Sequence, residues 1–232
     1  YSIKVDDSSH VFVGGGTVSS DFPMAGQGFM QTGLGNIDGF IARFNQNNGA
    51  YQVGTYWGSI DYEQIYFIDL DIENKVYFTG QTEGKFKRTA GCYGKDNTTQ
   101  FIGRLSNDLS KQEFITTFGN RTNSVPELCP SAFMVDNCHN IYFSGWGSVI
   151  GVGNNGTTNG LPITADAHQK TTDNHDFYLI VLGKDAKSLK YASYFGGNKS
   201  RDHVDGGTSR FDNRGVIYQS VCASCPNNPP GL

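Results

Sequence analysis

Long apolar runs are missing from this sequence. The longest, Phe177 to Gly183, has the length of a strand and falls far short of the ~20 residues a membrane span needs. Charge is scarce as well. Lys, Arg, Asp and Glu make up 17% of the 232 residues, against a usual ~25%, and 18 basic against 22 acidic side chains leave a net −4. Without a basic excess there is no electrostatic footprint for nucleic acid or an anionic membrane surface. Five cysteines are too few to be the scaffold of a chain this long, and they do not fall into the two CxxC pairs of a zinc ribbon. No G-x-S-x-G, H-E-x-x-H or Walker-type loop occurs.

What the sequence does contain is glycine, at 30 residues, and aromatics, at 13%. That mixture disfavours long helices and suits many short strands joined by turns. An all-β chain is therefore expected, long enough to bury a sizeable core.

The chain also repeats itself, which is the most informative signal. Residues 3–15 (IKVDDSSHVFVGG), 68–80 (IDLDIENKVYFTG), 133–145 (FMVDNCHNIYFSG) and 209–221 (SRFDNRGVIYQSV) align without gaps. An aspartate recurs at Asp6, Asp71, Asp136 and Asp212. Each copy reads as a hairpin: a strand ends at the aspartate, polar residues turn, and a β-branched/aromatic pair opens the next strand. The carboxylate can accept the backbone N–H two residues on and nucleate the turn. The alternative, a calcium loop of the D-x-[DN]-x-[DN]-G type, lacks its ligand ladder in every copy.

A second repeated pair of strands accompanies the hairpin. Phe40–Phe44 (FIARF), Phe101–Leu105 (FIGRL) and Tyr178–Leu182 (YLIVL) align, and each leads to a strand ending in TYWG at Gly58, TTFG at Gly119 or SYFG at Gly196. A third motif, Phe22 to Gln31 (FPMAGQGFMQ), returns at Leu161 to Gln169 and more weakly at Phe86 to Tyr93. Proline lacks a ladder donor, so this segment is expected to cross from the last strand of one unit to the first of the next.

Four antiparallel strands in a tandem unit of ~65 residues are what propeller blades look like. The expectation is a β-propeller segment of about 3.5 four-stranded antiparallel blades over residues 1–221, with units near 1–31, 38–93, 100–169 and 176–221. On this reading the chain opens with the last two strands of a unit, blades precede it, and residues 222–232 form a Cys/Pro-rich exit linker.

The succession of F-I-A-R-F, T-Y-W-G, D-L-D-I-E-N-K-V-Y-F-T-G-Q-T and F-P-x-A/T resembles the SBBP-type β-propeller repeat of bacterial secreted proteins. The final unit, with SYFGG at 193–197 and CASC at 222–225, looks like the propeller region of large Bacteroidetes surface proteins of the gliding-motility-associated, type IX-secreted kind. The resemblance covers nearly the whole chain and departs from the pattern at Lys87, which stands where the linker proline would be. It implies an extracellular or outer cell-surface location. It carries no shared catalytic residues to transfer.

Other candidate residues are few. Gly151 to Gly156 matches G-x-G-x-x-G, but no helix start follows, so a loop is expected there and not a dinucleotide site. Cys129 and Cys138 are candidates for a disulfide in an oxidising compartment, and Cys222 and Cys225 for a bridge within their motif or to Cys92. A redox role for Cys222 and Cys225 would want a helix N-terminus to stabilise the thiolate. Trp57 and Trp146, each followed by glycine, are candidates to face a ligand and stack on a sugar; packing between adjacent blades is the commoner role of such rings. No catalytic residue, cofactor or metal is assigned.

The function expected is a non-enzymatic binding or display module of a secreted or cell-surface multidomain protein, adhesin-like, with a protein or glycan ligand. Further domains or chains would complete the propeller. Nucleic acid and a membrane span are not expected. The alternatives are a glycan-active enzyme with paired carboxylates in a propeller pocket, and a structural component of a surface assembly.

Overall fold

In a computed structural model, residues 1–122, 125–147, 156–197, 202–204 and 209–223 are described. Nearly all regular structure in them is antiparallel β. Two compact units divide the chain, Tyr1–Ser124 and Val125–Leu232.

The first unit contains two four-stranded sheets. Sheet one is β1 (Ser2–Val5), β2 (His10–Thr17), β3 (Asp38–Asn45) and β4 (Tyr51–Trp57), paired in chain order. Sheet two repeats the arrangement with β5 (Glu63–Leu70), β6 (Val76–Thr82), β7 (Thr98–Leu105) and β8 (Gln112–Thr122). The second unit holds sheet three, made of β9 (Leu128–Val135), β10 (Ile141–Gly147), β11 (Phe177–Leu182) and β12 (Leu189–Phe195). Beyond it β13 (Asp202–His203) pairs with β16 (Cys222–Ala223), and β14 (Arg210–Phe211) with β15 (Ile217–Tyr218). A 3-10 turn at Lys184–Ala186 joins β11 to β12. The G-x-G-x-x-G stretch lies almost wholly in 148–155, outside the described residues.

The pairing groups the strands two positions out of phase with the sequence expectation. The aspartate hairpin is the beginning of a sheet, not its end, so residues 1–57 form a complete four-stranded sheet. The proline-containing segment does not cross between sheets. It joins the second strand of a sheet to the third. There it lies along the last strand of the same sheet: Gly54 N–H donates to Ala25 O at 3.0 Å and Tyr56 N–H to Met30 O at 2.9 Å. In sheet three Tyr194 N–H donates to Gln169 O at 3.2 Å. Proline suits this place because it needs only to accept: Pro23 O takes the Tyr51 hydroxyl and Pro162 O the Tyr178 hydroxyl at 2.6 Å. The free edge of the sheet is thereby covered by its own chain.

All three β3-type hairpins carry a register irregularity at the same place, between Arg43 and Phe44, Arg104 and Leu105, and Val181 and Leu182. Such bulges add right-handed twist, so the repeat extends to the shape of the strands as well as to their sequence.

In the first unit the two sheets pack face to face. Phe12, Ile41, Val53 and Trp57 of sheet one meet Ile65, Ile68, Val76, Phe78, Phe101 and Leu105 of sheet two. Trp57 is the centre of this contact. It is 2% exposed, stacks on Phe86 at 4.8 Å and touches the rings of Phe78 at 5.2 Å and Phe101 at 4.2 Å. Its indole N–H donates to Gln112 Oε1 at 2.8 Å, so the ring is buried with its polar atom satisfied. In the second unit Trp146 packs with Phe177, Val204 and Cys129.

Trp57→Ala is expected to cost about 3–5 kcal/mol, read by circular dichroism as a lower urea midpoint. A loss below about 1 kcal/mol would show that this ring does not hold the two sheets together.

Candidate functional site

Trp57 and Trp146 do not face a ligand. Both are buried, and each ring is spent on packing within its unit. The cysteines are placed as follows. Cys129 stands near the start of β9 and Cys138 in the turn beyond its far end, exposed and with a free thiol. At ~3.3 Å per residue the intervening strand holds them about 20 Å apart, whereas a disulfide needs Cα atoms within ~7 Å. The bridge between these two is therefore not formed. Cys92 is buried in a turn where its N–H donates to Thr89 O at 3.0 Å and its carbonyl accepts Arg88 Nη1 at 2.8 Å. Cys222 lies on β16, and Cys225 lies outside the described residues.

The four repeated aspartates share one geometry. In each turn one carboxylate oxygen accepts two backbone N–H groups. Asp6 Oδ1 takes those of Ser8 (2.9 Å) and His10 (2.8 Å), and Asp71 Oδ1 those of Glu73 and Lys75 (both 2.9 Å). Asp136 Oδ1 takes Cys138 and Asn140 (both 2.8 Å), and Asp212 Oδ1 takes Arg214 (2.9 Å) and Val216 (3.0 Å). The fourth residue of every turn has positive φ: Ser9 at 63°, Asn74 at 57°, His139 at 59° and Gly215 at 80°. That backbone is unfavourable for a side chain unless locally supported, and the aspartate supplies the support. Asn107 ties two of the turns together, donating to Asp6 Oδ2 at 3.1 Å and to Asn74 O at 2.9 Å.

These contacts set the electrostatics. At Asp136 burial opposes ionisation, but Asn140 (side chain and backbone), the Tyr142 hydroxyl and the Cys138 N–H outweigh it and hold the carboxyl below its ordinary range. Tyr142 responds in the opposite sense: burial and the Asp136 carboxylate push its hydroxyl up to about 12. At Asp6 burial is likewise overcome by hydrogen bonds from His10 and Asn107.

A different arrangement of acids was not visible in the sequence. It lies beside the glycine that ends TYWG and SYFG. Asp38, at the start of β3, is 3% exposed, and Glu63, at the start of β5, is 0% exposed. A Cβ built on Gly58 would fall within 2.8 Å of both Asp38 Oδ1 and Glu63 Oε2. Around Gly196 the same holds, closer still, for Asp176 Oδ1 and Asp202 Oδ2; these residues are 0% and 3% exposed. The backbone repeats too. Ile37 O accepts Glu63 N–H at 2.8 Å, and His175 O accepts Asp202 N–H at 3.2 Å. Ser59 N–H donates to Glu63 Oε2, and Gly197 N–H to Asp202 Oδ2 at 2.6 Å. Burial pushes the carboxyls of Glu63 and Asp176 up, with the charge of Asp38 adding to it at Glu63 and those of Asp173 and Asp202 at Asp176. The only sequence signal for this arrangement was the glycine repeated after an aromatic residue.

No family model matches the chain, and no curated protein matches it.

Asp136→Ala is expected to cost about 1–3 kcal/mol at neutral pH, because it strands two turn N–H groups. The native carboxyl is depressed, so its contribution is present in full above the unfolded value of ~3.9 and is lost as pH falls through the native one. Urea titrations should therefore show the gap between wild type and variant constant down to about pH 4 and closing below it. A gap unchanged at pH 2 would mean that the ionised carboxylate is not what holds the turn.

Proposed function

We propose that the four-stranded sheets are blades of a β-propeller, and that this propeller serves as a rigid, non-enzymatic binding or display module of a secreted or cell-surface protein. The observation that carries the reading is one face of sheet one. The repeat aligns Ile3, Val5, Val11 and Val13 with Ile68, Leu70, Val76 and Phe78. In sheet two those four side chains pack against sheet one. Their counterparts in sheet one are open: Ile3 is 64% exposed, Val5 54%, and Val11 and Val13 are half-buried. A face built to the same pattern suits the same cover, a further sheet of this repeat, and successive twisted sheets stacked in that way are how a propeller ring is made.

A display role is supported by what the acids do. The turn aspartates are engaged by their own backbone. The paired acids beside Gly58 are buried, and a buried pair cannot reach a glycosidic bond. Among the described residues no helix is long and apolar enough to cross a membrane. The extracellular location in this reading rests on the sequence resemblance to secreted surface proteins.

Electron microscopy of the native protein tests the architecture: a ring of radially arranged blades is expected, and a linear stack of sheets would overturn the ring. For the activity, labelled protein is applied to a glycan array and to a panel of extracellular proteins. Saturable binding without turnover is the expected result. Release of reducing sugar would replace this reading with a glycan-active enzyme. Absence of binding, with co-purification in a fixed stoichiometric complex, would replace it with a structural role.

A further inference from the structure

The acid pairs beside Gly58 and Gly196 have a feature that the turn aspartates lack. Asp38 Oδ1 and Asp176 Oδ1 are buried and, among the described residues, have no hydrogen-bond partner. Each residue's other oxygen is engaged. Asp38 Oδ2 accepts the N–H groups of Leu34 (2.9 Å) and Gly35 (3.1 Å), and Asp176 Oδ2 accepts Gln169 Nε2 at 3.1 Å. The carboxylates are thus held in place with one oxygen bare, and that oxygen is aimed at the second acid. Among the described residues Asp38, Glu63 and Asp176 form no ion pair with a basic side chain. A buried carboxylate with neither a hydrogen bond to its free oxygen nor a counter-charge is costly, yet the same arrangement occurs twice at equivalent positions.

We propose that each pair is a binding site for a hard divalent cation of the calcium class, bridging Asp38 Oδ1 to Glu63 Oε2 and Asp176 Oδ1 to Asp202 Oδ2. The distances suit it. Because both oxygens of a pair would crowd one Cβ position, they lie no more than about 5 Å apart, the span that one ion with bonds of ~2.3–2.6 Å can bridge. The glycine is required because any side chain would fill the space between the acids. The cation joins the beginning of the third strand of one sheet (Asp38 opens β3, Asp176 immediately precedes β11) to the strand that follows the sheet, β5 or β13. It therefore acts as a latch between consecutive sheets. At the intervening repeat position Thr99 stands where Asp38 and Asp176 stand, so two sites are assigned and not three. This inference stands apart from the binding and display reading.

The test uses the full chain, stripped with EDTA and exchanged into chelator-free buffer at pH 7. Calorimetric titration with CaCl2 should give two sites per chain, and Tm should climb with the logarithm of calcium concentration. Asp38→Asn and Asp176→Asn keep the shape and remove the charge. Each should lower the stoichiometry from two to one, and the double variant should lose the calcium response. Should a variant fail to fold, terbium luminescence on the unaltered chain, reversed by added calcium, detects the same two sites without any substitution. The proposal is overturned by a chain that shows no heat, no Tm shift and no terbium signal. It is equally overturned if Tm rises on acidification from pH 7 to 5 regardless of calcium, because each pair then holds a shared proton in place of a metal.

Discussion

A β-sheet with apolar side chains on both faces must be covered twice. Sheet one is such a sheet, with Phe12, Ile41, Val53 and Trp57 on one side and Ile3, Val5, Val11 and Val13 on the other. Burial is non-directional and scales with area, so it alone would let the sheets slide over each other. Trp57 restricts that freedom. Its ring is set among three phenylalanines, and its N–H is fixed by Gln112 on the neighbouring sheet. Polar links around the rim add further alignment: Lys4 pairs with Asp69 at 2.8 Å, and Arg43 donates to Asn107 Oδ1 at 2.9 Å.

The turns carry the other half of the specification. A hairpin that places a non-glycine residue at positive φ is locally strained, and at Ser9, Asn74 and His139 that strain is met by an aspartate accepting two N–H groups. The interaction sits within five residues, so every hairpin can form before its sheet is complete. Local agreement of this kind helps a fold dominated by non-local pairing to reach its native register.

The aspartates were legible because their function is local and their spacing regular. The all-β character was legible because glycine, aromatic and β-branched residues outnumber helix formers. The phase of the sheets was hidden. Hydrophobic alternation is the same whichever strand is counted first, and only pairing across the long Thr17–Asp38 connection shows where a sheet begins. Proline in that connection is incompatible with a ladder, as its chemistry requires, but it does not lie between sheets; accepting a tyrosine hydroxyl leaves no mark in the sequence. Cys129 and Cys138 looked close because nine positions is a short interval; an extended strand makes it a long one. Asp38 and Glu63 were invisible as a pair because they stand in different sheets, and only tertiary packing brings their carboxylates together.

The segment between the second and third strands of each sheet has an evolutionary consequence. It covers the last strand of its own sheet, so that edge is paired without help from the next sheet. What a successor contributes is a matching surface and a few polar links, among them the Glu63 N–H to Ile37 O and the Gln112 side chain to the Trp57 indole. A duplication or deletion with its ends in the short stretch between Trp57 and Glu63 adds or removes one unit whose last strand is already covered. Recombination at that point changes the number of units without cutting through a sheet. Copy number is thus a variable that this architecture leaves open.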